Sequence, residues 1–313
     1  MSRICTAAVL ALAFLSNALW GQSHHKATAH VTTPPGTNTI TSFDRNHTVI
    51  GWLEIVPLES KIFHETRLLR VLVPANYFSP YNAHRSYPVL YMQNGQTLFD
   101  AAISKDGEWH MDETVEHLVG SFKIPPMFVV GIDDTAAQGA SASSTAETHV
   151  EKAPSPEQAR ADEKEYARYI VTEVMPFIEK YYRVSRGPTN TGLGGSLLGG
   201  DVAIYTALEH PGVFGHVLVE SPVLGQDDIL KSVETAKLLP HKMYIGLGVA
   251  KSGDSRQNAE TAKDLQELES VLRKKGMTTT RLKITVDTNH GNDVAAWSDR
   301  LPEAMVFLYG ASL

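Results

Sequence analysis

The residues whose types and spacing suit chemistry lie in one stretch, Asn190-Thr-Gly-Leu-Gly-Gly-Ser-Leu-Leu-Gly-Gly-Asp201 and onward to Phe214. A strand runs into a glycine-rich turn, a helical segment follows, and Pro211 stops it. Glycines crowd a turn of this kind because a sharp passage from strand to helix leaves no room for Cβ atoms. Such a turn presents one side chain at its apex, and a serine there could attack an ester carbonyl if a histidine took its proton. Ser196 lies inside the turn. The run Gly192–Gly200 lacks the Lys-Ser/Thr of a phosphate loop, and no dinucleotide fingerprint or metal-ligand triad competes with it. No cofactor and no metal are expected.

Two further blocks accompany this turn: Tyr87-Pro-Val-Leu-Tyr-Met-Gln-Asn-Gly-Gln-Thr-Leu-Phe-Asp100 upstream and Ala295-Ala-Trp-Ser-Asp-Arg-Leu-Pro-Glu-Ala-Met305 downstream. Together the three blocks resemble the putative-esterase family of α/β-hydrolases, which includes enterochelin esterases, S-formylglutathione hydrolases, acetyl xylan esterases and mycolyl transferases. The similarity runs from about Lys61 to Leu308. It implies an α/β-hydrolase fold, a mostly parallel central sheet with helices on both faces.

The resemblance also implies site positions, and here the chain departs from the pattern. The family turn reads Gly-x-Ser-x-Gly-Gly, and laid on without a gap it covers Gly195-Ser196-Leu197-Leu198-Gly199-Gly200. The nucleophile position is then Leu197, which has no lone pair to attack a carbonyl. Pro211 falls 14 residues later, the family's helix length. A shifted register makes Ser196 the nucleophile but places Leu198 where the turn wants glycine. The family's base stands five residues before a tryptophan; counted back from Trp297, that position is Asn292, with His290 two residues upstream. His290 is either a displaced base or an exposed loop histidine. The family acid position resembles Lys251, and Asp254, three residues on, is a substitute acid or a helix N-cap. The oxyanion donors would be backbone groups, the Leu198 N–H and an amide of the Asn94-Gly95-Gln96 loop.

The remaining elements fit this frame. Apolar β-rich runs at 68–73, 89–92, 127–132, 191–194, 216–219, 243–247 and 282–286 predict strands. Amphipathic patterns predict a helix from Pro156 to Tyr182, kinked at Pro176, and another from about Ser255 to Lys275. Thr135–Pro156 reads as a long loop or lid. With 313 residues, 42% hydrophobic and 20% charged, the chain is globular, and one domain over 49–313 is expected. A net charge of −7, with scattered basic residues, disfavours nucleic acid.

At the front, Arg3 followed by the apolar run Ala7–Leu15 reads as a signal peptide over residues 1–21, cleaved at Ala18 or Gly21. The run is too short to span a bilayer, so a secreted or periplasmic protein is expected. Cleavage would remove Cys5, the one cysteine. Residues 22–48 read as a flexible polar leader, whose His24, His25 and His30 are solvated. Two functions remain open. The first is an esterase-family protein that has lost triad hydrolysis and either keeps a pocket for a small ester, siderophore or glycan-like ligand or acts as an interaction scaffold. The second is a working serine esterase using Ser196, His290 and Asp254.

Overall fold

The computed structural model describes residues 33–104, 107–134, 156–224, 227–249 and 255–310. Among the described residues nine strands form one sheet: β1 (Asn38–Thr41), β2 (Trp52–Ser60), β3 (Glu65–Val73), β4 (Val89–Gln93), β5 (Phe128–Ile132), β6 (Thr191–Ser196), β7 (His216–Glu220), β8 (Lys242–Gly248) and β9 (Leu282–Asp287). Their spatial order is β1-β2-β3-β5-β4-β6-β7-β8-β9. The first three pair antiparallel with their neighbours, and β5 through β9 run parallel. Strands β4 to β7 are buried at every position, which is why they read as unbroken apolar or glycine runs.

Six α-helical segments flank the sheet: α1 (Met111–Gly120), α2 (Pro156–Tyr169), α3 (Met175–Tyr181), α4 (Leu198–Glu209), α5 (Asp227–Thr235) and α6 (Ser255–Lys274), with α7 (Val294–Tyr309) closing the chain as a seventh. Helices α1 and α7 share one apolar layer with Leu90, Met92, Val129, Leu218 and Tyr244 of the sheet. Helix α4 packs on β6 and β7, with α2 and α5 beside it. This is an α/β-hydrolase fold.

The seven expected strands are present, and β1 and β2 are additions. Strand β1 lies inside the stretch read as a leader: of its described part, 33–48, residues 38–41 pair with Trp52–Ile55. Its four short positions, two of them exposed, carry too little alternation to show as a strand. The expected helix 156–182 is interrupted, because Ile170–Val174 winds as a π-helix between α2 and α3. Pro176 follows directly, at the second position of α3, where its missing N–H costs little. The signal peptide, His24, His25, His30 and the 135–155 loop lie outside the described residues.

Beneath β5, the Phe128 ring meets Tyr77, Tyr87 and Tyr182 at centroid distances of 5.1, 6.0 and 5.6 Å, all at steep angles. Phe128 is fully buried. Phe128→Ala should therefore lower unfolding free energy by about 3–5 kcal/mol in a urea titration, with the m-value unchanged.

Candidate active site

Strand β6 ends at Ser196 and helix α4 begins at Leu198, so Leu197 alone makes the turn between them. Its φ of 52° and ψ of −129° lie in neither the helical nor the extended region. A side chain larger than hydrogen holds such a conformation at a cost of about 1–3 kcal/mol, so the surroundings must enforce it. They do so through the backbone. The Leu197 N–H donates to the Glu220 carbonyl at 3.0 Å, and the Leu197 carbonyl accepts from the Gly200 and Asp201 N–H groups at 2.9 and 3.3 Å. The turn is tight: a Cβ on Gly195 would lie 2.7 Å from the backbone of Gly199, and one on Gly200 would lie 2.8 Å from Val219. The Leu197 side chain packs against the apolar layer that contains Met92, Leu98, Trp109 and Trp297.

The neighbours of Leu197 face elsewhere. Ser196 is 1% exposed, and its Oγ is buried without a hydrogen-bond partner. Leu198 is 44% exposed, and its N–H lies in the first turn of α4, where no intrahelical acceptor exists. Across the turn, Gln93 Nε2 donates to the Gly199 carbonyl at 2.8 Å, tying the end of β4 to the helix start. The Asn94-Gly95-Gln96 loop begins with Asn94 in the left-handed region (φ 58°), its carbonyl accepting from the Thr97 N–H and hydroxyl. Gly95 is pressed against the Gly131–Ile132 backbone and Asp133, where a Cβ would sit 2.7 Å away. Gln96 accepts from the Asp134 N–H at 3.2 Å.

Asn292 faces the end of β7. Its Oδ1 accepts from the Ser221 hydroxyl at 2.7 Å and from the Gly248 N–H at 3.0 Å, and Ser221 Oγ accepts from Trp297 Nε1 at 2.9 Å. One carboxamide thus joins the ends of β7 and β8 to the start of α7. Ser221 itself holds a positive φ of 50°. The sequence pointed to neither Ser221 nor its role, because a serine just past a strand carries no distinctive pattern.

His290 is half exposed, and its Nδ1 meets Asp287 Oδ2 at 2.7 Å. The acid that His290 meets is Asp287, at the end of β9. That contact raises the His290 pKa, while the Asn289 N–H, followed by His290, lowers that of Asp287. No contact joins Ser196 to His290 among the described residues. Lys251 and Asp254 lie outside the described residues.

Two acids support the turn from behind. Glu220 receives Arg300 Nη2 at 2.7 Å and Nε at 3.1 Å, yet burial pushes its carboxyl up to about 7. Asp201, in the first turn of α4, is pushed up to about 8 by burial, and its Oδ1 has no partner.

The sequence model of the family described as putative esterase matches residues 60–308. The chain belongs to that family. The esterase-family chain is 21% identical over 236 residues to YbbA, an uncharacterized protein of Bacillus subtilis (strain 168), spanning 72% of this chain and 86% of the relative. Among solved structures, it resembles a ferulic acid esterase of Anaeromyces mucronatus, in complex with ferulic acid, with a TM-score of 0.60 and 16% identity. That match covers 88% of this chain and 93% of the other. It also resembles the ferric enterobactin esterase of Salmonella typhimurium, with a TM-score of 0.59 and 15% identity. There the match covers 88% of this chain but only 59% of the enterobactin esterase. At these identities the structures share the fold.

Asn292→Ala leaves the Gly248 N–H and the Ser221 hydroxyl short of an acceptor, and should cost about 1–3 kcal/mol of stability, read by urea unfolding. Asp201 generates a pH signature. Its folded pKa lies above the unfolded value, so its contribution is whole below about pH 4 and is lost as pH rises to about 8. Across that window Asp201→Asn should remove a slope approaching ~1.4 kcal/mol per pH unit from the stability profile.

Proposed function

We propose that this esterase-family protein lacks serine-triad hydrolysis and keeps the crevice beside the turn as a binding site for a small ester or glycan-like ligand. The observation that carries the reading is the backbone of Leu197, whose φ and ψ are those of a residue alone at the apex between strand and helix. Attack on a carbonyl needs a lone pair at the apex, and leucine offers none. The burial of Ser196 Oγ supports the same reading, since a nucleophile must meet substrate and base together. The engagement of Asn292 by Ser221 and Gly248 supports a structural use of the base position. The likeness to the ferulic acid esterase of Anaeromyces mucronatus in complex with ferulic acid supports the ligand class. The Arg3 and Ala7–Leu15 pattern supports an exported protein. Among the described residues no helix is long and apolar enough to cross a membrane.

The His290–Asp287 pair favours a second reading, a serine esterase using Ser196 with His290 as base. It requires the turn to rearrange so that Ser196 Oγ emerges.

A fluorophosphonate probe and p-nitrophenyl acetate separate the two. The wild type should show no covalent labelling and hydrolysis near background. Any residual rate from binding and oxyanion donors would fall within the roughly 10³–10⁴-fold over water seen where triads have been deleted. Leu197→Ser with Asn292→His should create labelling at residue 197. Stoichiometric labelling of wild type, abolished by Ser196→Ala, would overturn the proposal in favour of the second reading.

A further inference from the structure

Around Trp109 the chain gathers acids that the site above does not use. Glu108 is 5% exposed, with Oε1 buried and lacking any partner; Oε2 accepts from the Thr48 hydroxyl at 3.0 Å. Asp112, in the first turn of α1, is fully buried: Oδ2 accepts from the Ile50 N–H at 2.6 Å, while Oδ1 has no partner. Its carboxyl lies against that of Glu113, whose own Oε2 is also buried without a partner. Glu108 Oε1 thus stands buried and unsatisfied beside the apposed Asp112 and Glu113 carboxyls, and apposed carboxylates repel unless a proton or a cation lies between them.

His110 completes the group. Its Nδ1 is 3.6 Å from Glu108 Oε2 and 3.5 Å from Glu113 Oε1. Among the described residues, Glu108, His110 and Glu113 are the one set whose donor atoms all lie within 4.8 Å of one another. A tetrahedral ion bound at about 2.1 Å spaces its ligands by about 3.4 Å, close to the two separations from His110.

We propose that Glu108, His110 and Glu113 bind a divalent first-row transition-metal ion of the zinc type, with Asp112 steadying Glu113. The mixed donor set decides the class: an imidazole nitrogen among carboxylates suits zinc, whereas calcium and magnesium take oxygen ligands. Three protein ligands leave a fourth position for water. The segment also has a mechanical role. Glu108 reaches Thr48 on the β1–β2 connection, Asp112 reaches Ile50 there, and the intervening Trp109 ring meets Trp297 at 5.3 Å with a 43° tilt. An ion here would fasten the antiparallel edge of the sheet to α1 and stiffen the wall that holds Trp109. This site is independent of the ester-ligand reading, and its test uses no ester.

The test uses the full chain carrying His24→Ala, His25→Ala and His30→Ala, which removes competing imidazoles. After EDTA treatment, equilibrium dialysis against Zn²⁺ at pH 7.5 should give one ion per chain, and the thermal midpoint should rise with added Zn²⁺. His110→Ala and Glu113→Gln should each weaken binding by at least roughly ten-fold. His110 is half exposed, so its loss leaves the fold intact, as circular dichroism of the EDTA-treated variant checks. Glu108→Gln should abolish the Zn²⁺-dependent rise in midpoint while raising the metal-free midpoint, because one buried charge is gone. Absence of stoichiometric uptake would overturn the proposal, leaving the acids to share protons alone. Uptake unchanged in His110→Ala and Glu113→Gln would overturn it as well, and preference for Ca²⁺ over Zn²⁺ would overturn the class of ion.

Discussion

The apex of the β6–α4 turn is held in a conformation that its own side chain disfavours. Leucine gains nothing from φ 52°, whereas glycine would take that angle freely. The conformation persists because the chain around it is over-determined: Gly195 lies against Gly199, Gly200 lies against Val219, and the Leu197 N–H is fixed to Glu220. The turn therefore keeps this geometry with an aliphatic side chain at its apex. The strain is met partly by apolar packing, since the leucine rests on the layer containing Trp109 and Trp297.

That constraint explains the arrangement on either side. Gln93 spends its amide on the Gly199 carbonyl, which fixes β4 relative to the helix. The Asn94–Gln96 loop can then lie flat against β5 only because Gly95 lacks a side chain. Opposite, Asn292 spends its carboxamide oxygen on Ser221 and Gly248. The amide acts as a brace between strand ends.

The parallel half of the fold was legible because β4 to β7 are buried on both faces, and such strands print as continuous apolar runs. The antiparallel edge was not: β2 carries Glu54 and Pro57 within its nine residues, and β1 is four residues long. The apex could be located because glycines at 195, 199 and 200 meet backbone or neighbouring side chains directly, which fixes their spacing in sequence. The partner of His290 was missed because Asp287 ends a strand three residues earlier and looks like ordinary turn chemistry. Glu108, His110 and Glu113 escaped notice for a related reason. They straddle an irregular segment and a helix start, so neither a helical nor a strand period brings them together.

The chain of contacts through Glu220 has a kinetic meaning. Its carbonyl receives Leu197 and its carboxylate receives Arg300, so one residue of β7 couples the apex to a helix about a hundred positions downstream. Loop closure over such a separation occurs only after the intervening crossovers have docked. Local pieces such as the β2–β3 pair can form early, but the Glu220–Arg300 pair cannot form until α7 arrives. Assembly therefore finishes beside the apex turn, and a chain released before its last helix would leave the Glu220 carboxylate buried without Arg300.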